Sequence, residues 1–213
     1  NPACLCKGYC MGLEGSFAPP RMTEGAKDDI SLIQRLTFIT GNVGKAKYLS
    51  DYFRMPVEHR KLDLKEIQSL DLREIVVDKA KRAFDEVRSP VLVEDVSLTF
   101  RALNALPGPL IKWFLEALGN EGLCRLLDGL ADRSAFTEVM FAVCDGSSVH
   151  VFEGSMEGSI TSSPRGEMGF GWDPIFVPSG HDKTWAEMSD EKKHATSMRK
   201  IALDKMSAFL AAN

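Results

Sequence analysis

Pro90-Val91-Leu92-Val93 is a compact apolar run that passes without interruption into Glu94-Asp95. Such a run predicts a short buried strand ending in two acids, and the strand ends of α/β sheets are where ligands bind. Two carboxylates at such a place are costly without a cation. Magnesium takes one or two carboxylates together with phosphates and waters, so the pair suits it. The alternative is one acid capping a turn and the other solvated.

The flanking segments fit an α/β chain. Leu36-Thr37-Phe38-Ile39-Thr40 is β-rich and ends in Gly41-Asn42, and Ala46, Leu49, Tyr52 and Phe53 follow at helical spacing. His59 to Leu64 predicts a short strand, and Asp71 an N-cap for a helix carrying Ile75, Ala80, Ala83 and Val87. Pro107-Gly108-Pro109 is a rigid turn, with helices expected over 110–118 and 122–130. Phe136 to Cys144 and Ser148 to Ile160 read as a hairpin turning at Asp145-Gly146. The last helix is expected from Ser189, burying Met198, Ala202, Met206 and Phe209.

Residues 1–34 read as a disordered leader, rich in glycine and proline, and 35–213 as the functional domain. Cys4, Cys6 and Cys10 crowd that leader without a histidine before His59, which favours free thiols over a metal site. Five cysteines without a secretory signal point to a reducing, cytoplasmic setting. The chain opens on asparagine, which suggests a trimmed product with Met22 near a natural start. A net charge of -4 and a pI near 5.6 argue against a nucleic-acid-coating surface. No stretch approaches the roughly 18 apolar residues of a membrane span.

Beyond the acid pair, three patterns suggest chemistry. Thr40-Gly41-Asn42-Val43-Gly44-Lys45 sets a hydroxyl, two glycines, an amide and a lysine at a strand-to-helix turn, which suits a phosphate. It is not a Walker A loop, and an ordinary turn with a surface lysine is the competing reading. Phe170-Gly171-Trp172-Asp173-Pro174 suits a flat heterocycle, one ring stacking while the carboxylate accepts a ring N–H. A loop stapled to the core by its aromatics is the alternative. Lys193 and Ser197 stand four apart, as if on one helical face, with Arg199 beyond.

In this order the motifs, with Leu106-Pro107-Gly108-Pro109, Lys112 and Trp113, resemble the inosine triphosphate pyrophosphatase family from about Leu36 to Phe209. The resemblance implies a long twisted mixed β-sheet flanked by helices, in two lobes around a central cleft, assembled as a homodimer. It implies a phosphate loop at Thr40, Gly41, Asn42 and Lys45, and magnesium (or manganese in its place) on Glu66 and Asp95. Triphosphate-binding lysines fall on Lys79, Lys112 and Lys193, and a base pocket on Phe170, Gly171, Trp172 and Asp173 with Ser197, Met198 and Arg199. The family usually has histidine where this chain has Met198. The implied reaction is attack of metal-activated water on the α-phosphorus of a non-standard purine nucleoside triphosphate, such as ITP, dITP or XTP, releasing pyrophosphate. Asp95 or Glu94 would take the proton, and Lys45, Lys112 and Lys193 would stabilise the leaving group. A silent nucleotide-binding protein, or a pyrophosphatase for modified pyrimidine or guanine nucleotides, are the rival readings.

Overall fold

The computed structural model describes residues 36–211, so the leader and its cysteines lie outside it. The chain runs through β1 (Thr37–Ile39), α1 (Val43–Phe53), β2 (His59–Arg60), α2 (Leu72–Val87), β3 (Val91–Phe100), β4 (Pro107–Gly108) and α3 (Ile111–Arg125). It continues through β5 (Ser134–Cys144), β6 (Val149–Ile160), β7 (Phe176–Pro178), α4 (Asp190–Ala195) and α5 (Met198–Ala211). The strands form one mixed sheet of seven in the order β2-β1-β3-β5-β6-β7, with β4 on the far part of β3. β1 is parallel to both neighbours, and β5 is antiparallel to β3 and β6 along its whole length.

Helices cover both faces of β3. Because side chains alternate along a strand, Leu92, Val96, Leu98 and Phe100 join one apolar cluster, which includes residues of α1, α3 and α5. Val91 and Val93 point the other way, into a cluster with Val76, Ala80 and Ala83 of α2. The α5 backbone sits hard against β6 at Gly154, where a Cβ would lie 2.0 Å from the Met198 carbonyl oxygen. Only glycine admits that approach, and it fixes where the start of α5 meets the sheet.

Most expected elements form. Asp71 caps α2 by accepting from the Arg73 and Glu74 N–H groups, and the β5–β6 hairpin turns at Asp145-Gly146. Helix α3 is broken at Gly119 (φ 65°, ψ 179°), much as two short helices were expected there.

Three expectations need correction. β3 does not stop at the acids but runs on to Phe100, so Glu94 and Asp95 lie in mid-strand, opposite Phe141 and Met140. The second strand is only His59–Arg60; Leu62 and Leu64 instead pack against the α2 cluster. The last helix is two helices. The Thr196 hydroxyl donates back to the Lys192 and Lys193 carbonyls and accepts the Trp185 indole N–H at 3.0 Å, which ends α4. Ser197 Oγ then accepts from the Arg199 N–H and starts α5, so Lys193 and Ser197 belong to different helices and share no face.

Candidate active site

The loop between β1 and α1 is built to hold its own shape. Thr40 Oγ1 accepts the Asn42 N–H at 3.0 Å, and Asn42 Oδ1 accepts the Lys45 N–H at 3.1 Å as the N-cap of α1. Both side chains are thereby committed to the turn. The N–H groups of Val43 and Gly44 have no partner among the described residues and lie at the helix N-terminus, where an anion is favoured. A Cβ on Gly44 would come within 3.1 Å of the Phe170 ring, so the glycine lets the aromatic motif close on the phosphate loop.

Two cations stand over that ring: Lys193 Nζ is 4.9 Å and Arg199 Cζ 5.1 Å from the Phe170 centroid. Asp173 is buried, and its Oδ2 accepts the Phe170 N–H at 2.7 Å and the Lys193 ammonium at 2.5 Å. One carboxylate oxygen thus folds the loop and anchors the lysine, leaving Oδ1 for anything further. Trp172 takes the other reading of the motif, packing against the core cluster as a staple. The Gly171 carbonyl accepts from Asn120 Nδ2 at 3.0 Å, tying the loop to the break in α3.

The two acids of β3 face opposite ways. Glu94 has a side chain with no exposed surface, and its Oε1 meets Arg199 Nε at 3.0 Å, Arg199 Nη2 at 2.9 Å and Lys45 Nζ at 3.4 Å. Burial pushes the Lys45 ammonium below the ordinary lysine value, and the attraction of Glu94 and Asp95 does not fully restore it. Asp95 lies on the α2 side, 17% exposed, 3.0 Å from Lys79 Nζ, which also meets Glu66 Oε1 at 2.8 Å. Burial disfavours the Lys79 charge as well, yet Asp95 and Glu66 outweigh it and hold the ammonium above its ordinary value.

Glu66 and Asp95, the two expected metal ligands, are thus brought to a single positive charge. That arrangement fits magnesium: two hard carboxylate oxygens, with phosphates and waters to complete the shell. No cluster of three or more potential ligands occurs among the described residues.

Other expected residues fall outside this arrangement. Lys112 is exposed, and its recorded contact is with the Trp113 ring at 5.2 Å. Met198 is fully buried, and its Sδ accepts from Thr137 Oγ1 at 3.0 Å. Ser197 is buried and caps α5. Sequence reading missed Tyr48, whose ring stacks on His194 at 4.4 Å and lies 5.8 Å from Arg199 Cζ. Its place three residues after Lys45 on α1 was the available signal. A groove of about 380 Å³ between β6 and β7, lined by Glu157, Ser179 and His181 among others, shares no residue with these clusters.

The Ham1 family model matches residues 36–209, essentially the whole described chain. The inosine triphosphate pyrophosphatase of Yarrowia lipolytica is 45% identical over 181 residues, covering 83% of this chain and 95% of that protein. Its namesake in Schizosaccharomyces pombe is 38% identical over 185 residues, covering 85% and 97%. Among solved structures, a HAM1 protein from Coxiella burnetii superposes with a TM-score of 0.71 at 27% identity, over 84% of this chain and 98% of that one. A nucleoside-triphosphatase / dITP/XTP pyrophosphatase from Mycobacterium abscessus gives 0.65 at 28%, over 80% and 97%. With its phosphate loop, its acids and its aromatic loop all inside the matched span, the chain belongs to the Ham1 family.

Proposed function

We propose that this chain hydrolyses non-standard purine nucleoside triphosphates (ITP, dITP and XTP) to the monophosphate and pyrophosphate. The observation that carries this reading is the closure of the Phe170–Asp173 loop onto Gly44, which sets a heterocycle-binding motif against a phosphate-binding turn. Relatives that bear the name inosine triphosphate pyrophosphatase support it at 38–46% identity.

The residues divide the work. The loop amides of Val43 and Gly44, with Lys45, receive the triphosphate, and Lys193 adds charge close by. Arg199 can only donate, so its remaining N–H groups suit a keto oxygen at C6, and Asp173 Oδ1 can only accept, so it suits the N–H at N1. Adenine would set donor against donor and acceptor against acceptor. Where recognition rests on polar pairing, rejection of roughly 10⁴-fold is attainable. Guanine shares the favoured edge and is refused only by lack of room.

Magnesium, or manganese in its place, would be held by Glu66 and Asp95 and would supply charge neutralisation and a more acidic bound water. Asp95 is the acid that retains access to solvent, so it takes the proton from the attacking water; Glu94 has no exposed surface from which to do so. Lys79, between the two metal-binding acids, turns to the phosphates once that charge is replaced. The proposed working form is a cytoplasmic homodimer. No helix among the described residues is long and apolar enough to cross a membrane.

The test is to incubate the protein with ITP and magnesium and resolve the products by anion exchange. Monophosphate with pyrophosphate is expected; diphosphate with orthophosphate, or no turnover, contradicts the reading.

A further inference from the structure

Among the described ion pairs Glu94 is the most enclosed charge, and its bonding is one-sided. Two Arg199 donors and the Lys45 ammonium converge on Oε1, while Oε2 is buried and accepts a hydrogen bond from none of the described residues. Guanidinium and carboxylate groups frequently pair as a fork that engages both oxygens. Here Arg199 from α5 and Lys45 from α1 compete for one atom. Loss of either cation must strengthen the hold on the other.

We infer that Glu94 is a positioning residue that couples the base end of the site to its triphosphate end, a role that rests on the function proposed above. Arg199 lies beside the Phe170 ring, and Lys45 follows the phosphate loop. An anion at that loop draws Lys45 away from Oε1. Glu94 is then left with Arg199 alone, and the guanidinium is held in one orientation beside the base position. Because coupling between sites is reciprocal, a base bound against Arg199 also favours the anion. The effect discriminates against a nucleotide that fills one end poorly, since it gains neither contact in full. Asp95 points to the opposite face of the sheet and pairs with Lys79, and its charge adds only a lesser attraction on Lys45 than that of Glu94.

The coupling is measurable without turnover. Inosine and inorganic pyrophosphate, together filling the two ends, are titrated by calorimetry with magnesium present, each alone and each in the presence of the other. In the wild-type protein, saturating pyrophosphate should tighten inosine about fivefold, the lower edge of ordinary coupling between sites. In Glu94→Gln each ligand should bind with an affinity independent of the other. Removing a charge from a buried cluster can cost folding, so Lys45→Met provides a second route: it empties the competing position and should also abolish the shift. A wild-type protein in which pyrophosphate leaves inosine binding unchanged, or a shift that persists in Glu94→Gln or in Lys45→Met, overturns the inference. Failure of the proposed function is separable: a protein that shows the coupling but leaves ITP intact keeps the bridge and loses the reaction.

Discussion

Glu94 and Asp95 are adjacent in the chain, yet they lie on opposite faces of one strand and meet opposite surroundings. Glu94 enters the face covered by α1 and α5, where it is sealed and neutralised by Arg199 and Lys45. Asp95 enters the face covered by α2, where it keeps some exposure and shares Lys79 with Glu66. Under the proposed function, the same pair of residue types serves two purposes. A carboxylate without solvent access can orient cations but cannot exchange a proton with water; one at the edge of solvent can do both. The two-residue repeat of a β-strand makes the separation, without any loop between them.

The comparison breaks most visibly at Asp95. Asp95→Asn should lower ITP turnover on the order of 10²-fold or more at saturating magnesium, because metal holding and proton acceptance both suffer. Near-normal steady-state rates would remove it from the chemistry.

Arg199→Ala acts on the other face and should read differently. It removes a donor suited to the base, so kcat/KM for ITP should fall more than that for ATP, compressing their ratio about tenfold, near the value of one hydrogen bond to a charged group. It also leaves buried Glu94 without its closest partner, and thermal melts should show a loss of about 3–5 kcal/mol. An unchanged ratio in a folded variant would mean that Arg199 does not read the base.

Met198 belongs to the core cluster. Its sulfur lies against Thr137 with no exposed surface, so Met198→Leu keeps the volume and should cost less than about 1.5 kcal/mol in denaturant titration. The ITP-to-ATP ratio should not move. A shifted ratio would place residue 198 in contact with substrate after all.

The two lysines sharpen the comparison most finely. Lys45 is held below and Lys79 above the ordinary 10.5 in the ligand-free protein, so ¹³Cε resonances of labelled lysine should show Lys45 losing its proton first as pH rises. The stability signs are opposite. Lys79's contribution is present below the ordinary lysine pKa and is lost as pH rises through its raised value; the burial penalty on Lys45 applies below its lowered value and fades above it. Coincident titrations would mean that the two faces do not differ in polarity as described.

Much of this was legible in the sequence, and the failures share a cause. Strand β1, the cap at Asp71 and the β5–β6 hairpin depend on neighbours in the chain, so local patterns locate them. The length of β3 does not. An apolar run followed by two acids reads as a strand end, because the guanidinium that makes Glu94 tolerable in mid-strand lies 105 residues away. The break between α4 and α5 likewise depends on Trp185 reaching Thr196. In the site, residue types pointed to phosphate and base recognition, but not to which carboxylate oxygen is already engaged. Asp173 Oδ2 is committed to its own loop, and Trp172 packs on the core; both facts come from packing that no spacing rule encodes.

The division between the two faces is tested most directly by placing Asp95→Asn and Glu94→Gln side by side. For each, kcat/KM is measured on ITP and on ATP, with folding verified by circular dichroism. Asp95→Asn should lower both substrates alike and preserve their ratio, because it touches the chemistry common to both. Glu94→Gln should compress the ratio, because it loosens the guanidinium that reads the base. A Glu94→Gln protein that is slowed equally on both substrates, beside an Asp95→Asn protein that loses selectivity, would contradict the assignment of the two faces.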